Sequence, residues 1–254
     1  MAFRPPVIGT VAVLLCLPIL IGLGFWQLGR HIAKSDARDE VHARLYAAPL
    51  TNENSGLPAS ELTWRKAMLT GQFRHDLGTA FVAGRYEFGR PGYDVVVPFD
   101  VAGGPRVLIN RGWMGVSSDW QASLRTLAEG APTTVEGLVQ PLGETFEVAP
   151  LPATDDHPAR WPMTRGSGCS AERIGHPYAD IAATMPDVAD WIVIAGPALQ
   201  RGQRRPEGPA PLGGYVPEPR HIGHLEYAFQ WWLIALTLIG VWAYAGWRGG
   251  QREG

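Results

Sequence analysis

Pro219-Arg220-His221-Ile222-Gly223-His224-Leu225-Glu226-Tyr227-Ala228-Phe229-Gln230-Trp231-Trp232 is the stretch on which the reading of this chain turns. Two histidines three positions apart run into Ala228 to Trp247, an apolar run without a charged residue. Crossing a bilayer takes about 20 consecutive apolar residues of helix. Residues 226–247 are therefore read as a transmembrane helix with a polar, potentially ligating cluster at its head. Polar groups clustered at a membrane edge are a functional hypothesis by default.

Working outward, the other apolar segment is Val7 to Leu28, again without charge. Its apolar core is longer than the roughly 7–15 residues of a signal peptide, and no small-x-small cleavage site follows. It is read as a retained transmembrane helix, residues 7–28. Trp26, Arg30 and Lys34 recur every fourth position on one helix face. An aromatic ring and snorkelling cations in that arrangement also describe an interface anchor. Residues 29–223 lie between the spans and read as a water-soluble domain.

The totals narrow the function. Net charge is −2, with 22 basic and 24 acidic residues. Phosphate-driven nucleic-acid binding needs a strong basic excess, so that class is excluded. The two cysteines, Cys16 and Cys169, fall in different segments, and there is no CxxC or CxxCH. That excludes a disulfide framework, thiolate metal sites of the usual spacing and covalent haem attachment. Two cysteines and five methionines argue against a copper chaperone. No GxSxG, HExxH or paired-carboxylate constellation points to an enzyme.

Within the middle, Ile32 to Tyr46 extends the first helix, and Thr51 to Ser60 is a loop. From Trp64 onward the period changes to that of strands. Strands are expected at Lys66 to Phe73, Thr79 to Gly84, Tyr93 to Phe99, Arg106 to Asn110, Thr133 to Gln140 and Trp191 to Leu199. Gly89-Arg90-Pro91-Gly92 reads as a turn and Gly103-Gly104 as a hairpin. Helices are expected at Ser117 to Ala128 and Ala171 to Met185. The fold class is thus two transmembrane helices flanking an antiparallel β-rich (α+β) soluble domain, as a sheet or small barrel.

Two spans put both termini on one side of the membrane. Arg4, Arg248 and Arg252 flank the short ends, while a central loop of about 200 residues translocates largely regardless of charge. The expected topology has cytoplasmic termini and an extracytoplasmic domain. The first helix leaves the membrane where the second enters it. Trp26, Gln27 and Arg30 then lie at the depth of His224, Tyr227 and Trp231, and Gly22 and Gly24 permit close helix approach. His224, Tyr227, Trp231 and Ile234 form one helical stripe.

Gly24-x-Trp26-Gln27-x-x-Arg30-x-x-x-Lys34, Pro91-Gly92-Tyr93 before a Val-rich strand, Asn110-Arg111-Gly112-Trp113, and His224-Leu225-x-Tyr227-Ala228-x-Gln230-Trp231 occur in that order. Together they resemble the signature of the Surfeit locus protein 1 family (Shy-type assembly factors for cytochrome c oxidase). The family often has Asn at the position of Ile222, and the Gly166-to-Cys169 stretch matches no family pattern.

The resemblance implies two membrane helices holding a mainly β domain, no catalytic activity, and placement in the cell's inner membrane. It implies transient binding of haem a and help in inserting it into the oxidase's haem-copper subunit. The implied partners are that subunit, the haem a synthesis enzymes and membrane lipid. His224 is implied as the haem-iron ligand, with Tyr227, Trp231, Trp26 and Gln27 around the macrocycle and Arg30 on a propionate. The alternative is a membrane-anchored adaptor that stabilises oxidase intermediates without haem. For Asn110-Arg111-Gly112-Trp113 the plain reading is a tight strand exit that packs Trp113 into the core.

Overall fold

The computed structural model describes residues 3–87, 89–116, 132–155, 157–165, 174–200, 203, 205, 211–216 and 223–251. The helix expected at Ser117 to Ala128, the Cys169 region and His221 lie outside the described residues. The chain divides into two compact units, Met1–Glu40 with Pro219–Gly254, and Val41–Glu218.

The first unit is a helix pair. Helix α1 (Val7–Leu45) runs unbroken from the apolar segment through its polar continuation. Pro18 lies inside it, as membrane-type helices tolerate. The last helix, His224–Gln251, begins two residues before the expected span, so His224 is its first residue. Both are long and apolar enough to cross a bilayer, which is consistent with membrane anchoring.

Along α1 the covered positions include Val13, Gly24 and Gln27, and along the last helix His224, Ala228, Ala235 and Gly246. Small residues at such a seam let two backbones approach closely where hydrophobic driving force is absent. Gly24 shows the tolerance. A Cβ there would overlap the indole of Trp232, which also packs edge-on against Phe25. Toward the other end, Trp242 Nε1 donates to Thr10 Oγ1 at 3.0 Å. Leu14, Leu15, Ile19, Phe229, Leu233 and Leu236 point outward, an apolar surface suited to lipid.

The second unit is built on a closed five-stranded barrel. Its strands are β1 (Lys66–Phe73), β3 (Arg90–Val101), β4 (Arg106–Gly115), β5 (Thr133–Pro141) and β9 (Val188–Ala195). They run in the order β1-β5-β9-β4-β3, and β3 returns to β1 through Gly71↔Val101 and Phe73↔Phe99. β2 (Ala80–Glu87) and β6 (Arg160–Trp161) extend the sheet beyond β3. A separate ribbon pairs β7 (Thr164–Arg165) with β8 (Ile174–Gly175).

Closure requires every second side chain to point inward. Leu69, Phe99, Val107, Ile109, Val139, Trp191 and Val193 fill the interior, and helix α2 (Ala59–Leu62) adds Leu62. The opposite face of β4 and β9 presents Leu108 and Ile192 to a covering layer that includes Trp161 and helix α3 (Tyr178–Ala183). The last helix of the chain, His224–Gln251, is α4.

Three expectations are corrected. The sheet is not wholly antiparallel, because β4 pairs with β9 in parallel, as β2 does with β6. Alternation reports which face a residue takes and carries no strand direction. Arg90, Pro91 and Gly92 are not a turn. They pair with Glu87, Tyr86 and Arg85, leaving Gly89 (φ +72°) as the bend. Finally, among the described residues of the expected helix Ala171 to Met185, helix is confined to α3, with Pro177 at its N-terminal boundary. Proline disfavours helix in the residue before it and lacks the N–H that a longer helix needs.

Asn110-Arg111-Gly112-Trp113 is a β-bulge. Val95 faces Gly112 and Val96 faces Asn110, so Arg111 is the extra residue. Gly112 takes φ +113°, and a Cβ there would strike the carbonyl of Leu212. Trp113 exchanges backbone hydrogen bonds with Leu212 at 3.1 and 2.7 Å, and its indole lies on Gly92. The motif is not the expected strand exit, because β4 pairs on with β3 through Gly115, but Trp113 is buried as expected. Gly112→Ala is expected to cost about 2 kcal/mol or more, from the left-handed backbone plus the clash. Gly103→Ala, with φ +75° and no neighbour within 4 Å, should cost clearly less. Urea titration of both variants in detergent, with equal losses, would refute the clash.

Candidate functional site

His224 opens α4 and is only 7% exposed. Its Nδ1 lies 2.9 Å from Oε1 of Gln27 on α1. An amide oxygen only accepts, so Nδ1 carries the proton. Neutral imidazole then keeps its lone pair on Nε2, and that atom is buried with no partner among the described residues. A hydrogen bond to one ring nitrogen that sets the tautomer and presents the other is how proteins prepare a ligating histidine.

The other expected site residues take distinct places. Arg30 stacks over Trp26, 5.2 Å from its ring, on the exposed side of α1. Lys34 and Arg30 are cations close enough to act electrostatically on His224. Tyr227 is exposed and Trp231 half-buried. By helical rotation in an antiparallel pair, Gln27 and Arg30 flank the same side of the seam as Tyr227 and Trp231. Phe25 and Trp232 meet on the other side. The structure thus joins Gln27 to His224 and leaves Trp26 paired with Arg30, not with histidine.

A second polar cluster sits in the barrel unit. Asp94 is fully buried on β3. Its Oδ2 accepts from Arg85 Nε at 2.7 Å and from Asn110 Nδ2 at 3.3 Å. Asn110 also donates to Tyr178 Oη at 2.8 Å, while its Oδ1 accepts from the Gly112 N–H at 2.9 Å. Arg205 pairs with Glu87 at 3.2 Å and stands 3.9 Å from Asp94 Oδ1. Burial and the nearby Asp94 carboxylate push the Tyr178 hydroxyl up, so it stays protonated.

His176 stacks flat on Tyr178 at 4.9 Å, and burial with the positive Arg85 pulls its pKa down to about 4. Sequence reasoning missed Asp94, Arg85 and His176. The available signal was a lone carboxylate inside Tyr93-Asp94-Val95-Val96-Val97, a strand otherwise fit for burial on both faces.

A helix pair of bilayer length at the two ends of the chain, with a small closed barrel between them in sequence, is consistent with a membrane-anchored barrel protein. Its candidate ligating group is one prepared histidine, without a catalytic constellation among the described residues. A model of the SURF1 family matches residues 14–236, and the chain belongs to that family. The family is linked in general to the assembly of cytochrome c oxidase, and its members are assembly factors rather than enzymes. A SURF1-like protein of Rickettsia felis is 32% identical over 236 residues, covering 91% of this chain and 94% of the relative. One of Monosiga brevicollis is 26% identical, covering 95% and 89%. An uncharacterized SURF1-like protein of Mycobacterium tuberculosis is also 26% identical, covering 94% and 82%.

The buried neutral His176 makes the fold sensitive to acid. Its folded pKa of about 4 lies below its ordinary 6.5, so the unfolded chain binds more protons between those values. The stabilisation is complete above pH 6.5 and is lost as pH falls toward 4. His176→Phe keeps the ring on Tyr178 and removes the titration. The stability–pH slope in that window should fall by up to about 1.4 kcal/mol per pH unit relative to the parent. Denaturant titrations at four pH values measure it, and an unchanged slope contradicts the assignment.

Proposed function

We infer that this protein binds haem a at the head of the helix pair and assists its insertion into the haem-copper subunit of cytochrome c oxidase. The observation that carries the reading is His224: buried, tautomer-set by Gln27, with Nε2 left without a partner. That donor suits haem iron, for which histidine is a common axial ligand. The fit extends to the surroundings. Tyr227 and Trp231 offer aromatic surface on the same side, Ile234 continues that stripe with apolar surface, and Arg30 supplies a guanidinium matched to carboxylates.

His224 would hold the iron, Gln27 would fix the imidazole plane, and Arg30 would pair with a propionate. The bound group would bring the redox-active iron porphyrin that the oxidase subunit requires. A site at a membrane edge suits an amphiphilic porphyrin, since its polar edge meets water and its apolar body meets lipid. The proposed partners are the haem-copper subunit, the haem a synthesis enzymes and membrane lipid. The proposed placement is the cell's inner membrane with cytoplasmic termini and an extracytoplasmic barrel.

Co-expression with the haem a synthesis enzymes should yield membrane protein with a Soret band. His224→Ala should abolish that band without reducing the amount of protein in the membrane. Gln27→Leu should weaken haem retention about tenfold or more, as loss of a group orienting a metal ligand does. A Soret band unchanged in His224→Ala removes His224 as the ligand. Cells lacking the protein should contain oxidase depleted in haem a, and normal haem a content there overturns the assembly role. Co-purification with oxidase subunits but without haem would favour the adaptor instead.

A further inference from the structure

The barrel unit contains a space of about 240 Å³ between the outer face of the barrel and its covering layer. Its wall is polar where apolar packing would be expected, with Arg85, Asn110, Gln140, His176, Tyr178 and Arg205 among the lining residues. Water occupies about 30 Å³ per molecule in the liquid, so a small organic molecule fits.

Arg85 is placed as a receptor. Its Nε is spent on the buried Asp94 carboxylate, which locks the guanidinium plane. Among the described residues its two Nη atoms have no protein partner. A guanidinium held from behind presents parallel N–H donors, the geometry that grips a carboxylate with two bonds. Arg205 stands across the same space, its charge matched by Glu87, with Nη1 on the Leu212 carbonyl at 2.7 Å. His176 Nδ1 is buried and unpartnered, on a ring fixed by Tyr178. Buried polar atoms without partners are rare in proteins and call for water, an ion or a ligand. Ile194 and Leu199 give the space an apolar side.

We propose that this cavity is a binding site for a small organic carboxylate, gripped by the free end of Arg85 and oriented by His176. The site lies wholly in the barrel unit and is independent of His224. It also gives Asn110 a second role, because the side chain that organises the bulge supports the receptor through Asp94 and Tyr178.

The test is calorimetric titration of the full-length protein in detergent with sodium malonate, at constant ionic strength set with chloride. Malonate should bind saturably, whereas neutral malonamide and inorganic phosphate should not compete. Arg85→Lys keeps a cation beside Asp94 but loses the fork, and should weaken malonate about tenfold or more. Gln140→Trp fills the space while leaving Arg85 and Asp94 themselves unaltered and should abolish binding. Urea titration confirms that each variant is folded. Absence of malonate binding to the parent overturns the proposal. So does binding that survives in folded Gln140→Trp, or phosphate binding as well as malonate.

Discussion

A polar group withdrawn from water must find a partner inside the protein, and this requirement governs both units. In the barrel it is met at Asp94 for Oδ2, while Oδ1 and the nearby His176 Nδ1 have no hydrogen-bond partner among the described residues. A carboxylate with no exposed surface is tolerable only when charge and hydrogen bonds replace its hydration. Arg85 from β2 and Asn110 from β4 supply them, and Tyr178 from α3 secures Asn110. Three strands and the covering helix are thereby tied at one point, in a register that a slip of one residue would destroy. The arrangement is exacting because removing any one partner leaves the others buried and unmatched.

In the helix pair the same requirement is met only in part. Thr10 and Trp242 satisfy each other. Gln27 satisfies one nitrogen of His224, and the other has no partner among the described residues, with the cations Arg30 and Lys34 nearby. A polar atom kept from water and from the protein alike is disfavoured in the fold alone. Close approach of the helices depends on Gly24 and Ala228, so the small residues of the seam also place Gln27 within reach of His224.

The motifs of this chain do different physical work. Asn110-Arg111-Gly112-Trp113 is mainly architecture: a bulge, a left-handed glycine under a carbonyl, and an indole seated on Gly92. Arg111 lies 4.5 Å over Phe73, a cation–π contact on the same bulge. Trp26 and Arg30 occupy the exposed face of their helix, Gln27 the seam. One short motif therefore contributes a hydrogen-bonding residue in the seam and an exposed cation–π pair.

The sequence alone determined the two bilayer-length helices, the strands between them and the family. Each rests on a local pattern: an uncharged run, a period of two, or a motif with fixed spacing. The continuous helix through Leu45 was legible for the same reason. Tertiary structure alone decided the parallel β4–β9 pairing, the closure of the barrel and the pairing of Pro91 within β3. It also decided that Gln27 sets the tautomer of His224, and that Asp94, Arg85 and His176 border one cavity with Asn110. These are meetings between residues far apart in the chain. Strand direction, register and hydrogen-bond partners follow from how the whole chain closes on itself, which no local window records.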